Sequence, residues 1–353
     1  MRARWRRCGA CATAACPMPW SGPIGALSRR ASGISRRERR GQDKDEEAMR
    51  AVTYALAAAS AAALRHLLLR LPAGDRAWLA RRLMGDRYAL PVRSFAGFCQ
   101  NALHAWKNRQ YDVHRNGEAA LLARLAPFRP RVLLDVGANV GEWAEAACRH
   151  LPEATVHAFE IAPATAALLR DRAAPFGGRI VVNPFGLSDR EGRVTIYADA
   201  ADSTATSTLP LALAYNPGMD RPAAPVEAMA EVTTGDAYLD RHGIAAVDLL
   251  KIDVEGAERA VLDGFSGALR AGRVRMIQFE YGWLNAHTGA TLKWFHGLLE
   301  PLGFRIGKLY PEGVAFKDYA YEDEDFLGPN YIACHRDRAD WIEALRCPPL
   351  ALA

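Results

Sequence analysis

The sequence predicts an α/β protein with a mostly parallel sheet and helices on both faces. Three observations lead there. Residues 132–136, 155–159 and 247–252 are short apolar runs of the kind that form buried strands. Stretches with helical spacing separate them, so strand and helix alternate. Asp135, Glu160, Asp189, Asp253 and Glu280 each fall at or just past a predicted strand end. Open sheets of this class bind ligands outside the carboxyl ends of their strands, so this row of carboxylates points to a site.

The chain is organised around Leu134-Asp135-Val136-Gly137-Ala138-Asn139-Val140-Gly141. An apolar strand ends in an acid, a turn with two glycines follows, and a helix is predicted from Glu142 to His150. Gly137 and Gly141 permit positive φ and close approach of a ligand to backbone. The amides that open the helix can receive polar ligand atoms. The glycines are spaced G-x-x-x-G. A dinucleotide fingerprint needs G-x-G-x-x-G after its strand, and this turn lacks it.

Bulk composition narrows the class. The chain has 353 residues, half of them hydrophobic, enough for a substantial core. Its net charge of +5 resides in one end. Residues 1–48 hold ten Arg, Lys44 and five acids; the remaining 34 cations and 35 acids leave residues 49–353 near neutral. A nucleic-acid-binding surface on the folded part is therefore not expected. Seven scattered Cys do not make a disulfide framework. Cys8, Cys11 and Cys16 lack the further ligands of a zinc site. A reducing, cytoplasmic setting fits.

Residues 1–48 are Arg-rich without periodicity and read as a disordered tail. The composition break at Glu47-Ala48-Met49 suggests that translation starts at Met49 and that the tail is not translated. Residues 49–110 read as an N-terminal helical region. Its Ala- and Leu-rich run 51–71 is interrupted by Arg65, His66 and Arg70, unlike a membrane span. It reads as an amphipathic helix on the domain or at a membrane surface. A second helix is predicted from Asp75 to Met84, closed by Gly85.

The main domain is predicted over 111–338. A helix at 119–125 precedes the first strand. Pro163 opens a helix over 164–173. Residues 180–189 and 194–197 are predicted to form a hairpin at the sheet edge. Residues 199–231, rich in Ala, Ser, Thr and Pro, read as a lid, a substrate loop or a solvated connector. Further helices are predicted at 235–242, 259–262 and 292–299. Strands are predicted at 274–281, 304–310 and 331–335. Residues 339–353 read as a C-terminal tail.

Several stretches carry a family resemblance. They are Asn116-Gly117-Glu118, the 134–141 turn, Phe159-Glu160, Gly186-Leu187-Ser188-Asp189 and Asn330-Tyr331-Ile332-Ala333. The most specific is Lys251-Ile252-Asp253-Val254-Glu255-Gly256-Ala257-Glu258. Together they make residues 111–335 resemble the FkbM family of methyltransferases that use S-adenosylmethionine (SAM). The resemblance implies a Rossmann-like class I methyltransferase sheet of seven strands, mostly parallel, with the last antiparallel.

The resemblance also implies roles. Gly137, Asn139 and Gly141 line the methionine end of SAM, and Asp135 holds its amino group directly or through water. Glu160 accepts from the ribose hydroxyls, Ile161 packs on the adenine, and Leu187, Ser188 and Asp189 reach its edge. Gly186 stands where the family usually has Ala, a small-for-small change with little expected effect. Asp253 and Glu255 are the candidates for removing the acceptor's proton or binding the acceptor. Glu280, Trp283 and His287 are candidates for shaping the acceptor pocket, with His287 a rival base. Glu258 reads as a helix N-terminal stabiliser. Metal-dependent methyltransferases of this fold bind Mg²⁺ at the places of Asp253 and Glu280, but the favoured reading here is metal-free.

The leading reading is therefore methylation of a hydroxyl on a sugar, glycolipid or secondary metabolite. The partner is a small-molecule or glycan acceptor. A nicotinamide-dependent oxidoreductase is the weaker alternative, and NAD binding without SAM binding would revive it. A non-catalytic scaffold that keeps the fold is the other, and membrane association without SAM binding would favour it.

Overall fold

The computed structural model describes residues 63, 66, 68, 70–198, 206–210 and 226–348. The expected tail 1–48, the start at Met49 and most of the 51–71 stretch lie outside the described residues. So do 199–205 and 211–225 of the expected loop and residues 349–353. The chain divides into two compact units, Met1–Ser94 and Phe95–Ala353. Helix α1 (Ala73–Leu83) belongs to the first and buries no residue. Helix α2 (Leu90–Trp106) buries none either.

Among the described residues, the second unit holds two sheets. The larger contains β1 (Val132–Val136), β2 (Thr155–Phe159), β3 (Ile180–Asn183), β8 (Leu249–Ile252), β9 (Met276–Glu280), β10 (Phe304–Tyr310), β11 (Gly313–Phe316) and β12 (Asn330–His335). The smaller contains β4 (Gly186–Leu187), β5 (Gly192–Ala198), β6 (Thr206–Ser207) and β7 (Val226–Thr233).

The large sheet runs β11-β10-β12-β9-β8-β1-β2-β3. Strands β3, β2, β1, β8 and β9 are parallel neighbours, and β12 enters antiparallel between β9 and β10. The class is the predicted one, but the strands number eight rather than seven. The extra strand, β11, folds straight back on β10, Tyr310 against Gly313.

The predicted hairpin of 180–189 with 194–197 does not form. Pro184, which cannot donate to a ladder, follows β3 and ends it. β5 instead pairs along its full length with β7, from Gly192 against Val232 to Ala198 against Val226. Residues 226–231, expected in a loop, are therefore strand.

Helices cover both faces of the large sheet. They are α3 (Glu118–Leu125), α4 (Glu142–His150), α5 (Pro163–Ala173), α6 (Gly235–Arg241), α7 (Glu258–Gly264), α8 (Ser266–Arg270), α9 (Trp283–Thr288), α10 (Leu292–Leu299) and α11 (Ala339–Leu345). Side chains alternate along β1, so Leu133 enters one core and Leu134 the other. The first core gathers Leu121, Leu125, Trp143 and Leu169; the second gathers Phe159, Leu239, Val261 and Phe295. Thr234 and Thr291 cap α6 and α10, each accepting from a backbone N–H three residues on.

The topology fixes where a ligand can bind. From β1 the chain passes through α4 to β2 on one side, while β8 pairs on the other. The strand order reverses between β1 and β8, which opens a crevice at their carboxyl ends.

The expected C-terminal tail is instead structural through Leu345. Trp341 is fully buried in the first core, with Ile342 and Leu345 beside it. Its ring lies 6.0 Å from that of Phe128, and the Arg338 guanidinium sits 4.0 Å from its centroid. Trp341→Ala should therefore lower unfolding free energy by about 3–5 kcal/mol in denaturant titration. A loss below about 1 kcal/mol would show that α11 is not part of the core.

Candidate functional site

The turn between β1 and α4 is tight by necessity. Gly137 has φ +81°, and a Cβ there would stand 1.7 Å from the Asp253 carbonyl oxygen. No side chain fits, so the backbone of β1's end lies directly on that of β8's end. The amides of Gly137 and Ala138 both donate to the Phe159 carbonyl, at 3.0 and 2.8 Å. Gly141 has φ +90° and packs on Leu169.

Beneath the turn lies a buried ion pair. Asp135 on β1 stands in register with Lys251 on β8. The Lys251 ammonium is 3.2 Å from Asp135 Oδ1 and 3.1 Å from Asp253 Oδ2. Burial works against the charged ammonium, but Asp135, Asp253 and Glu118 around it hold its proton well above the usual lysine range. Burial likewise pushes the Asp135 carboxyl up, opposed by Lys251.

Two further carboxylates are anchored by backbone and amides. Glu160 accepts from the Asn139 amide at 2.9 Å and the Ala162 amide at 2.8 Å. Each oxygen thus keeps a lone pair for a ligand. Burial raises the Glu160 carboxyl, and those two amides oppose it. Glu118 accepts from Asn116 Nδ2 at 2.6 Å and from Gln278 Nε2.

Past β8 the chain is strained at Glu255, a non-glycine residue at φ +52°. Its carbonyl accepts from Ser207 Oγ at 2.7 Å, which ties the turn to β6. Glu258, read from the sequence as a stabiliser of its helix's N-terminus, accepts from the Gly256 amide at 3.0 Å. One carboxylate oxygen each from Asp253, Glu255 and Glu280 lie within 4.8 Å of one another. Burial first, then Asp253, pushes the Glu255 carboxyl up to about 8. The same two causes hold the Glu280 carboxyl well above the usual range. Three oxygens at this spacing are also a donor set that a hard divalent cation accepts.

A cavity of about 350 Å³ opens here. It gathers the sequence-predicted Gly137, Asn139, Glu160, Ile161, Leu187, Ser188, Asp253 and Glu255 into one lining. Other candidates stand outside it. Asp135 is fully buried beneath the lining, its Oδ1 3.2 Å from the Lys251 ammonium. Gly141 shapes the turn from behind. Asp189 pairs with Arg190 at 3.1 Å on the surface. Glu280 joins the site through Asp253 and Glu255. Trp283 and His287 pack on each other, ring centroids 5.7 Å apart, away from the lining.

Sequence reasoning gave no role to Lys251, Glu118 or Tyr111, all of which line the cavity. A signal existed for Lys251, since it is the only charge in an otherwise apolar strand. Val194, Ile196 and Thr206 to Thr208 also line it, so the smaller sheet is one wall. Gly186 proves less neutral than expected. An Ala Cβ there would meet the Ile161 δ-methyl at 2.8 Å and displace it.

Residues 135–306 match the family described as the methyltransferase FkbM domain. Three curated relatives are similar. The chain is 38% identical over 157 residues to the 31-O-demethyl-FK506 methyltransferase FkbM of Streptomyces tacrolimicus, covering 39% of this chain and 60% of that one. It is 27% identical over 191 residues to the 2-O-methyltransferase NoeI of Sinorhizobium fredii, covering 52% and 76%. It is 26% identical over 151 residues to the hexuronic acid methyltransferase AglP of Haloferax volcanii, covering 43% and 56%. The chain thus spans 60% of the first relative's length.

Removing the ammonium leaves Asp135 buried without a counter-charge. Lys251→Met should cost about 3–5 kcal/mol of stability at neutral pH. Adding Asp135→Asn should restore part of it, because the two changes couple. Independent, additive costs in denaturant titrations would refute the pairing.

Proposed function

We propose that this chain, whose residues 135–306 form an FkbM methyltransferase domain, transfers a methyl group from SAM to an acceptor hydroxyl. The observation that carries the reading is the charge of the cavity beside the Gly137 turn. Glu118, Glu142, Glu160, Asp253 and Glu255 line it against Lys251, the one cation of the lining among the described residues. SAM carries a sulfonium and an ammonium, which suit such a wall. The pyrophosphate of a nicotinamide dinucleotide would be repelled by it, which disfavours the oxidoreductase reading.

The residues present fit SAM. The Gly137 turn leaves backbone open where the methionine end would lie. Glu118 takes the ammonium in place of the enclosed Asp135. Glu160 offers its two free lone pairs to the ribose hydroxyls. Ile161, Leu187 and Ser188 enclose the adenine. When bound, the sulfonium supplies an electrophilic methyl group.

The chain's own part in the chemistry is orientation and proton removal. Asp253, or Glu255 beside it, would accept the acceptor's hydroxyl proton, leaving the oxygen to take the methyl group that bound SAM would supply. Glu280 stands beside both, one oxygen of each of the three within 4.8 Å of the others. A hydroxyl acceptor is also the class printed for the FK506-type relative, and a sugar acid is the one printed for the archaeal relative. A sugar, glycolipid or secondary-metabolite hydroxyl is therefore the acceptor class. Catalysis needs no metal on this reading. A divalent cation on Asp253, Glu255 and Glu280 would make turnover sensitive to chelator.

Calorimetric titration should show SAM binding by the wild type. Glu160→Gln, which removes one charged acceptor, should weaken it by about 1.5–3 kcal/mol, at least tenfold. No binding by the wild type, or unchanged affinity in the variant, would refute the assignment.

A base must be ionised to act. With an acceptor that supports turnover, the rate should fall about tenfold per unit as pH drops below about 8. Glu255→Gln should abolish that limb of the profile if Glu255 is the base. An unaltered limb would show that Glu255 is not the base.

A further inference from the structure

A row of polar side chains crosses the first core. Asp135 on β1 is the register partner of Lys251 on β8, and Lys251 that of Gln278 on β9, so the three share one face of the large sheet. Leu133, Leu249 and Met276, two residues before each, lie in the first core. Asp135 and Gln278 are fully enclosed and Lys251 nearly so. The ion pair accounts for Asp135 and Lys251. It does not account for Gln278, which sits between Ile277 and Phe279 in a strand otherwise apolar up to Glu280.

Gln278 is turned toward one carboxylate. Its Nε2 donates to Glu118 and, at 3.3 Å, to Asn330 Oδ1. Its Oε1 is buried, and no group among the described residues donates to it. The amide has no freedom to turn over, because a carboxylate needs a donor. A side chain that is wholly enclosed and half paired with protein groups adds little to stability. What it does is hold Glu118.

Glu118 is the member of this group that reaches the ligand space. It lines the cavity, and Gln278 stands behind it. Asn116 Nδ2 holds one of its oxygens at 2.6 Å and Gln278 Nε2 the other. Both anchors are neutral amides, which orient a carboxylate without cancelling its charge. The Lys251 ammonium, by contrast, is committed to Asp135 and Asp253. Burial pushes the Glu118 carboxyl up, and Lys251, Asn116 and Gln278 oppose that. A carboxylate aimed in this way is completed by a cationic nitrogen on the ligand.

We propose that Gln278 is a positioning residue: it aims Glu118 at the ligand's ammonium, and so selects an S-adenosyl amino acid over a nucleoside that lacks the amino-acid end. This rests on the methyl-transfer reading, in which Glu118 takes the SAM ammonium.

Two probes separate the ends of the ligand. S-adenosylhomocysteine carries the ammonium; methylthioadenosine keeps the nucleoside and the sulfur without it. In calorimetric titration of the full chain, Gln278→Met, which removes the donor at nearly constant length, should weaken S-adenosylhomocysteine binding about tenfold and leave methylthioadenosine binding within about twofold. Gln278→Asn, which draws the amide back by one methylene, should give the same split. In a Glu118→Gln background, Gln278→Met should add less than about twofold, because the two side chains act as one unit. Equal losses for both probes, or two variants that do not fold, would make Gln278 a support of the fold. No loss, or a loss that multiplies with that of Glu118→Gln, would detach it from Glu118. Each of these overturns the proposal while the wild type still binds SAM. A wild type that binds no SAM sinks the methyl-transfer reading, and this inference with it.

Discussion

A single ammonium, that of Lys251, is buried where two strands of the sheet part company. Removing it from water costs several kcal/mol, and only close carboxylates offset that. Asp135 and Asp253 do so at 3.2 and 3.1 Å. The geometry is not adjustable, because Asp135 and Lys251 are register partners on β1 and β8. A slip of one residue along either strand would turn one partner to the other face and leave both charges stranded in the core. The pair therefore pins the register at the point where strand order reverses. That in turn fixes where the Gly137 turn lies and where the crevice opens.

From that anchor the acidic character of the crevice follows. Lys251 is committed to the carboxylates beneath it. Glu160, Glu255 and Glu280 are left to be held by amides, by protons or by a positively charged ligand. Glu160 is the amide case, held by Asn139 and Ala162. Glu255 and Glu280 are the proton case, their carboxyls driven up by burial and by Asp253. An excess of acid that a cationic ligand can balance is what distinguishes this crevice from one built for phosphate. The left-handed backbone at Glu255 is tied through its carbonyl to Ser207 of the smaller sheet, which holds that turn at the cavity rim.

The smaller sheet gives the crevice its second wall. It exists because Pro184 ends β3 and the chain leaves the main sheet, so β5 must find another partner. It finds β7, whose last residues lie forty positions downstream in the chain. Val194 and Ile196 then face the ligand space instead of a sheet edge.

Short-range pattern was enough for much of this. Strands of four or five apolar residues, helices closed by glycine or proline and the G-x-x-x-G turn are all local features. They fixed the α/β class and placed Gly137, Glu160 and Asp253 at one end of it. Other elements depended on contacts between distant segments. Trp341 reads as part of a tail until Phe128 and Arg338 are brought against it. Asp189 ends a strand as its neighbours do, yet turns to Arg190 because β4 has left the main sheet. Lys251 reads as an anomaly in an apolar strand until Asp135 stands opposite. The sequence by itself determined which residues form strands and which carry charge, since periodicity and residue type are local. Tertiary structure decided which charges face one another, because a buried charge is settled by its neighbours across the sheet and not by those along the chain.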